Sequence, residues 1–225
     1  MKKAAAFLYL FFSCLLLAAQ EPYFCTGIGS KLHYERYKAG TEKRVQTTLF
    51  EIDSLCVSNQ GNEVHFAVTM CKGNGSKMFG GRALQTVAIL PDGTACLDFG
   101  ATVQGFVKNM FPRLKIAKSG SSALMPADMK PGDILPDAHC TVKAAGVPAH
   151  FHVTDRKVLR KERITTPAGI FDCMVVRERK VEDAPFHHLD NWFDNYYARG
   201  MGYVRQDMYD RDMNLLESEV LVKIQ

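Results

Sequence analysis

The sequence predicts an all-β, mainly antiparallel fold, built as a strongly curved meander sheet or half-barrel with one short covering helix. Three observations lead to this class. Apolar and polar residues alternate along most of the chain after residue 30, which is the period of half-buried strands. Turn-forming prolines, glycines and asparagines separate these alternating runs. A single segment, 103–111, has helical spacing instead.

The segment 158–180 has the clearest hairpin pattern. Its centre, Thr166-Pro-Ala-Gly169, combines a proline that presets one turn angle with a glycine that is free to adopt a positive φ. On the returning arm, Phe171, Cys173 and Val175 share one face of an extended chain, so we expect that face to be buried. Cys173 is therefore predicted to be a buried free thiol. The mixed charges of the outgoing arm favour a solvated strand face over a recognition surface.

The same alternation predicts the other strands, and Pro91-Asp-Gly93 favours a tight reversal between two of them. The predicted strands are 32–37, 44–57, 64–71, 83–90, 94–99, 139–145, 149–163, 170–181, 192–198, 202–210 and 215–224. The segment 119–136 is rich in serine, glycine and proline, which predicts a long linker or lid-like connection.

The one segment with helical spacing carries apolar residues three and four positions apart until Pro112 stops the pattern. These residues are Val103, Phe106, Val107, Met110 and Phe111. A helix with this apolar side must bury it, and the concave face of the curved sheet is the available surface. Two interpretations remain open, because the helix could be plain core or a movable cover for an apolar ligand.

Residues 1–20 have the three-part pattern of a secretory signal peptide, with Lys2 and Lys3 ahead of an apolar run and small residues at its end. We therefore predict a signal peptide at 1–20 and a single antiparallel β domain at 21–225. The mature protein should be periplasmic or secreted. Lipid attachment at Cys14, as in an outer-membrane lipoprotein, is less favoured because the apolar run continues beyond it.

The net charge argues against two classes of binding partner, and the cysteine content leaves disulfide pairing open. The formal net charge is +4, half of it from Lys2 and Lys3, which is too close to neutral to indicate nucleic acid or an anionic membrane as the main partner. No later stretch approaches the roughly 20 apolar residues of a membrane span. Six of the seven cysteines follow the signal peptide, and the sequence leaves their pairing open.

Catalytic and metal sites have weak support in the sequence. His150 and His152 lie on one face of a strand, but Phe151 and Val153 claim the core face, so the two imidazoles should point to water. No nucleophile-elbow, zinc-protease or phosphate-loop motif is present. We therefore predict no enzymatic activity, no cofactor and no metal site.

The favoured function is a non-enzymatic envelope protein whose curved sheet holds an apolar small molecule or a segment of an envelope protein. The candidate ligand-binding residues are the five apolar residues of the helical segment together with Trp192 and Phe193. The alternative is a metal-dependent or hydrolase-type enzyme that uses the His/Asp cluster near residues 187–194. The oligomeric state stays open.

Three motifs carry a family resemblance. Thr165-Thr-Pro-Ala-Gly-Ile-Phe-Asp-Cys173, Tyr197-Ala-Arg-Gly-Met-Gly-Tyr-Val204 and Tyr209-Asp-Arg-Asp-Met-Asn-Leu215 occur in this order. The chain thus resembles the TapB-like family of exported bacterial envelope proteins, although Met213-Asn214 stands where a glycine is usual. The resemblance implies a strongly curved antiparallel sheet and an exported location, with no established activity. In outline such a sheet is similar to the half-barrel lipid and lipoprotein carriers of the periplasm, an analogy of fold alone.

We expect the signal peptidase to cut near Ala19, because small residues end the apolar run there. The intact mass of the protein recovered from its own cell envelope should then correspond to a chain that begins at Gln20 or Glu21. A mass that retains Cys14 and carries acyl chains would contradict this expectation.

Overall fold

The computed structural model describes residues 20–185 and 187–225, so the predicted signal peptide lies, except for Gln20, outside the described residues. The helix is α1 Phe99–Met110. The strands are β1 Lys31–Lys38, β2 Arg44–Ser58, β3 Gly61–Lys72, β4 Ala83–Ile89, β5 Ala95–Leu97, β6 Ile116–Gly120, β7 Ala123–Met125, β8 Ala138–Ala144, β9 Val147–Thr166, β10 Gly169–Ala184, β11 His187–Ala198, β12 Gly202–Tyr209 and β13 Leu215–Ile224.

These strands form one open, curved sheet in the order β6-β8-β9-β10-β11-β12-β13-β1-β2-β3-β4-β5-β7. Every pairing between them is antiparallel. The predicted all-β class with one short helix is confirmed. No helix among residues 20–185 and 187–225 is long and apolar enough to cross a membrane.

Each of the eleven predicted strands is present, and the structure adds two, of which β7 lies within the predicted linker 119–136 and β6 overlaps its first two residues. Strand β6 pairs with β8, although four of its five residues are exposed and only Ile116 is partly buried. Such a strand is held by backbone hydrogen bonds, so its sequence lacks the usual alternation. Strand β7 has only three residues, and Pro126 follows it directly.

Helix α1 closes the gap between the two margins of the sheet. It contacts β4 on one side and β6 and β8 on the other. The Gln85 amide donates a hydrogen bond to the Thr102 carbonyl at 3.2 Å, and the Gln104 amide reaches the Ile116 carbonyl at 3.5 Å. At the helix start, the Asp98 carboxylate accepts from the Ala101 N–H at 2.8 Å and caps the first turn.

The helix begins four residues earlier than the predicted segment and ends at Met110. Val103, Phe106 and Val107 are partly buried, as the apolar pattern indicated. Met110 and Phe111 are 39% and 57% exposed, so the expectation that all five apolar residues share a buried side is wrong for these two. The physical reason is that the helix ends there, and Phe111 has already left helical geometry as the C-cap.

The central hairpin has the predicted form. Thr166 and Gly169 are paired across the turn, and Gly169 has a φ of +144°. Cys173 is buried and carries a free thiol, which confirms that prediction, and burial raises its pKa to about 12. All six cysteines within the described residues are unpaired.

The core fills the concave side of the sheet. Its innermost side chains come from strands on both halves, since Val64, Val158, Val175, Val204 and Leu221 are fully buried. The segment before β1 also contributes, with Tyr23 and Cys25 buried in the same apolar cluster. The sheet therefore wraps around one shared interior.

A row of buried polar side chains crosses this interior. The Arg156 guanidinium on β9 donates to the Glu178 carboxylate on β10 at 3.2 Å, and the Asn195 amide on β11 donates to the same carboxylate at 3.0 Å. The Gln206 amide on β12 donates in turn to the Asn195 side-chain oxygen at 2.6 Å. The remaining Arg156 donors reach the carbonyls of Pro136 and Leu124, the latter in strand β7.

Replacing Gly169 with valine should destabilise the protein by roughly 1–3 kcal/mol, because a β-branched residue is strained at this positive φ. The neighbouring change Ile170→Val is the matched control, since Ile170 is exposed, and it should stay within about 0.5 kcal/mol. The free energy of unfolding in urea measures both. Equal midpoints for the two variants would show that the turn tolerates a side chain.

Replacing Glu178 with leucine should cost roughly 3–5 kcal/mol, because it leaves the buried Arg156 guanidinium without a carboxylate. Asp172→Asn breaks an exposed Arg–carboxylate pair on the same strand and should cause no measurable loss. The double variant with Arg156→Met should recover much of the stability, because the uncompensated charge is gone. If the single and double variants have the same free energy of unfolding, the unpaired Arg156 charge is not the cause of the lost stability.

Candidate ligand cavity

A partly open cavity of about 290 Å³ lies between the concave face of the sheet and helix α1. Its apolar wall comes mainly from the first three strands and the helix. Side chains alternate between the two faces of each strand, and this alternation sets which of them form the wall. The cross-strand neighbours Leu32, Phe50 and Val68 all face inward, on β1, β2 and β3.

Aromatic rings dominate this wall. The Phe66 ring lies 5.3 Å from Phe24 and 5.8 Å from Phe50, measured between ring centroids. Tyr34 contacts Phe50 at 5.4 Å and Tyr203 at 4.8 Å. These separations are typical of favourable ring packing, so the wall is preformed.

One end of the cavity is polar and internally paired. The Glu219 carboxylate on β13 accepts from the Thr48 hydroxyl at 2.8 Å and from the Arg36 guanidinium at 3.1 Å. The Tyr203 hydroxyl lies 3.4 Å from the same carboxylate. Burial raises the pKa of Tyr203 and of Tyr34 well above the usual range, and the nearby Glu219 charge adds to both shifts. Both phenols are therefore neutral donors at physiological pH.

The cavity wall also carries an ammonium group. Lys180 Nζ on β10 lies 3.2 Å from Glu178 Oε1 and 4.5 Å and 5.7 Å from the ring centroids of Phe193 and Phe99. Its side chain is 17% exposed. Asp98 also lines the cavity and forms an ion pair with Lys118 on β6.

Of the residues predicted to bind a ligand, one lines the cavity and the others do not. Phe106 lines the cavity, and its ring lies 4.9 Å from that of Phe79 between centroids, at an interplanar angle of 38°. The lining does not include Val103, Val107, Met110, Phe111, Trp192 or Phe193. Phe193 is nevertheless next to it, because its ring faces Lys180. Their part in binding stays a prediction.

Sequence reasoning did not find most of the cavity-lining residues. Phe50 and Phe66 belong to strands that were predicted only as meander. The signal that was present is the aromatic residue at an inward position on each of several adjacent strands, which becomes visible once the strand register is known.

The His/Asp cluster near residues 187–194 is divided among separate partners. His187 Nε2 lies 2.9 Å from Glu182, and the Asp194 carboxylate forms a two-point pair with Arg177 at 2.7 and 2.8 Å. The hydrogen bond from Arg179, aided by Arg211, lowers the pKa of Asp190 to about 2.

The surface histidines on β9 are placed as predicted. His150 and His152 are exposed, while Val153 between β8 and β10 is buried. Within residues 20–185 and 187–225, no three His, Cys, Asp or Glu side chains form a group that could hold a metal ion.

Two crystal structures have a similar fold. One is of a protein from Bacteroides fragilis NCTC 9343, described as exported and as having a YmcC-like fold, with a TM-score of 0.72, 22% identity, and coverage of 91% of this chain and 99% of that chain. The other is of a protein from Parabacteroides distasonis ATCC 8503, described as a lipoprotein, with a TM-score of 0.73, 18% identity, and coverage of 92% and 99%.

No curated protein matches the chain. The resemblance to the TapB-like family is not confirmed under that name. The curved antiparallel sheet that the resemblance implied is confirmed. The family model that matches covers residues 28–221, which include all thirteen strands except the last three residues of β13. The chain belongs to the DUF3108-like family.

Proposed function

We propose that this is an exported, non-enzymatic envelope protein that holds an apolar ligand in the cavity between the sheet and helix α1. The observation that carries the proposal is the aromatic and aliphatic wall around about 290 Å³ of space. Small-molecule sites are typically apolar clefts of about 300–1,000 Å³ with a few polar groups, and this cavity lies at the lower end of that range.

The size of the space favours binding over plain core. Protein interiors are packed like organic crystals, and a void lined by apolar atoms costs about 24 cal/mol per Å³. For a cavity of about 290 Å³ the loss would be at most about 7 kcal/mol. A ligand that fills the space would offset this loss of stability. A close-packed core would contain no such void and would not need a ligand.

The polar groups of the cavity support a binding role more than a catalytic one. The carboxylate of Glu219 is occupied by Arg36, Thr48 and Tyr203, which leaves no free base at that end. The exposed apolar residues at the helix end, Met110 and Phe111, offer a surface on which an apolar ligand can approach.

The location forms part of the proposal. The two proteins of similar fold are described as exported and as a lipoprotein. Together with the signal-peptide pattern at residues 1–20, this supports a periplasmic or secreted mature protein.

A cavity-filling substitution tests the proposal. Met70 lines the cavity from β3, and Met70→Trp should fill part of it and weaken binding of the neutral fluorescent probe N-phenyl-1-naphthylamine by about tenfold, equivalent to about 1.4 kcal/mol. The matched control is Val57→Trp, because Val57 is exposed on β2, and it should leave probe binding unchanged.

The free energy of unfolding provides a second measurement on the same variants. A larger side chain forced into close-packed core costs about 1–3 kcal/mol, whereas one placed in a cavity should not. Full stability together with lost probe binding supports the proposal. No probe binding by the unmutated protein, or equal binding by both variants, would count against it.

A further inference from the structure

The buried carboxylate of Glu178 is shared by two cations. Arg156 Nε lies 3.2 Å from one of its oxygens, and Lys180 Nζ lies 3.2 Å from the other. The side chains of Arg156 and Glu178 are 0% and 1% exposed, so water does little to compensate either charge. Buried charges are normally paired, and this group carries a surplus of one positive charge.

The other charged groups on the cavity wall leave no cation in excess. Arg36 lies 3.1 Å from Glu219 and 3.8 Å from Glu217, and Asp98 is paired with Lys118. The surplus therefore belongs to Lys180, the cation of the pair that lines the cavity.

The remaining carboxylate near this end does not remove the surplus. Glu182 lies two residues beyond Lys180 on β10, but its side chain is 34% exposed and pairs with His187 at 2.9 Å. Arg156 is committed elsewhere as well, because its other donors reach backbone carbonyls at 2.8 and 3.1 Å.

Lys180 also has hydrogen-bond donors to spare. An ammonium group has three N–H donors, and its ion pair with Glu178 at 3.2 Å occupies one at most. The hydroxyls of Tyr34 and Thr48 already donate to the Tyr203 carbonyl and to the Glu219 carboxylate. An incoming anionic acceptor can therefore bind at Lys180, where a donor and a positive charge coincide.

We infer that the ligand is a single-chain amphiphile with an anionic carboxylate head, whose head binds Lys180 and whose hydrocarbon chain lies along Phe24, Phe50 and Phe66. This inference rests on the proposed function. The volume of about 290 Å³ suits one chain of moderate length rather than the two chains of a phospholipid. A cationic group and an apolar wall within one cavity are what such a molecule requires.

Competition against bound N-phenyl-1-naphthylamine tests the inference with four probes of matched chemistry. Dodecanoate should displace the probe at a concentration about tenfold lower than dodecanol, which is the effect expected of one charge-assisted hydrogen bond. Dodecylammonium should compete less well than dodecanol, because its charge repels Lys180. Acetate carries the head without the chain and should not compete.

Substitution of Lys180 identifies the group responsible. Lys180→Met should abolish the preference for dodecanoate and leave dodecanol binding unchanged, while Lys180→Arg should retain the preference. Glu178 keeps Arg156 and Asn195 as partners in both variants, so the fold should persist. Lys161→Met removes an exposed lysine of β9 and is the matched control.

The outcomes separate the two claims. If neither dodecanol nor dodecanoate displaces the probe, the proposed function fails and the inference fails with it. If both displace it equally, or dodecylammonium binds most tightly, the cavity binds apolar chains and only the anionic head is wrong. Should Lys180→Met fail to fold, the ranking of the four probes on the unmutated protein decides the question.

Discussion

The structure depends on one buried carboxylate. Glu178 joins β9, β10 and β11, because it accepts from Arg156 and Asn195 and forms an ion pair with Lys180. Through Arg156 the same group reaches the carbonyl of Leu124 in β7, the strand at the far margin of the sheet. A carboxylate in this position costs several kcal/mol to desolvate, so it persists only with its partners in place. The curvature that brings the margins together is coupled to this pairing.

The margins themselves explain the role of helix α1. A curved sheet that does not close leaves unpaired backbone groups at both ends, and these must be covered or exposed to water. The helix fills the gap with Gln85 and Gln104, whose side-chain contacts join it to the two sides. Gly105 allows the close approach, because a Cβ there would lie 2.9 Å from the Leu84 carbonyl oxygen. Helix α1 thus both covers the interior and fills the gap between the margins of the sheet.

The strands could be predicted because alternation is local, whereas the cavity depends on register between strands. The inward position of Arg156 shows the difference. A β-bulge in β9, where Asp155 has a φ of +54°, shifts the alternation so that Val153 and Arg156 both face the interior. The sequence pattern of β9 indicates a solvated charged face here, and it contains no signal for the bulge. Strand β6 was missed for a related reason, since its exposed residues carry no alternation.

The position of Lys180 follows from the same network that stabilises the sheet. Arg156 and Asn195 already satisfy the Glu178 carboxylate, so neutrality of the core does not require a second cation there. An ammonium group held beside the rings of Phe99 and Phe193 is kept in a defined position without being fully neutralised. Apolar walls from the first strands meet this group within one cavity. The fold thereby places a positive charge beside an apolar space, and the inferred preference for an anionic amphiphile over a neutral one rests on this arrangement.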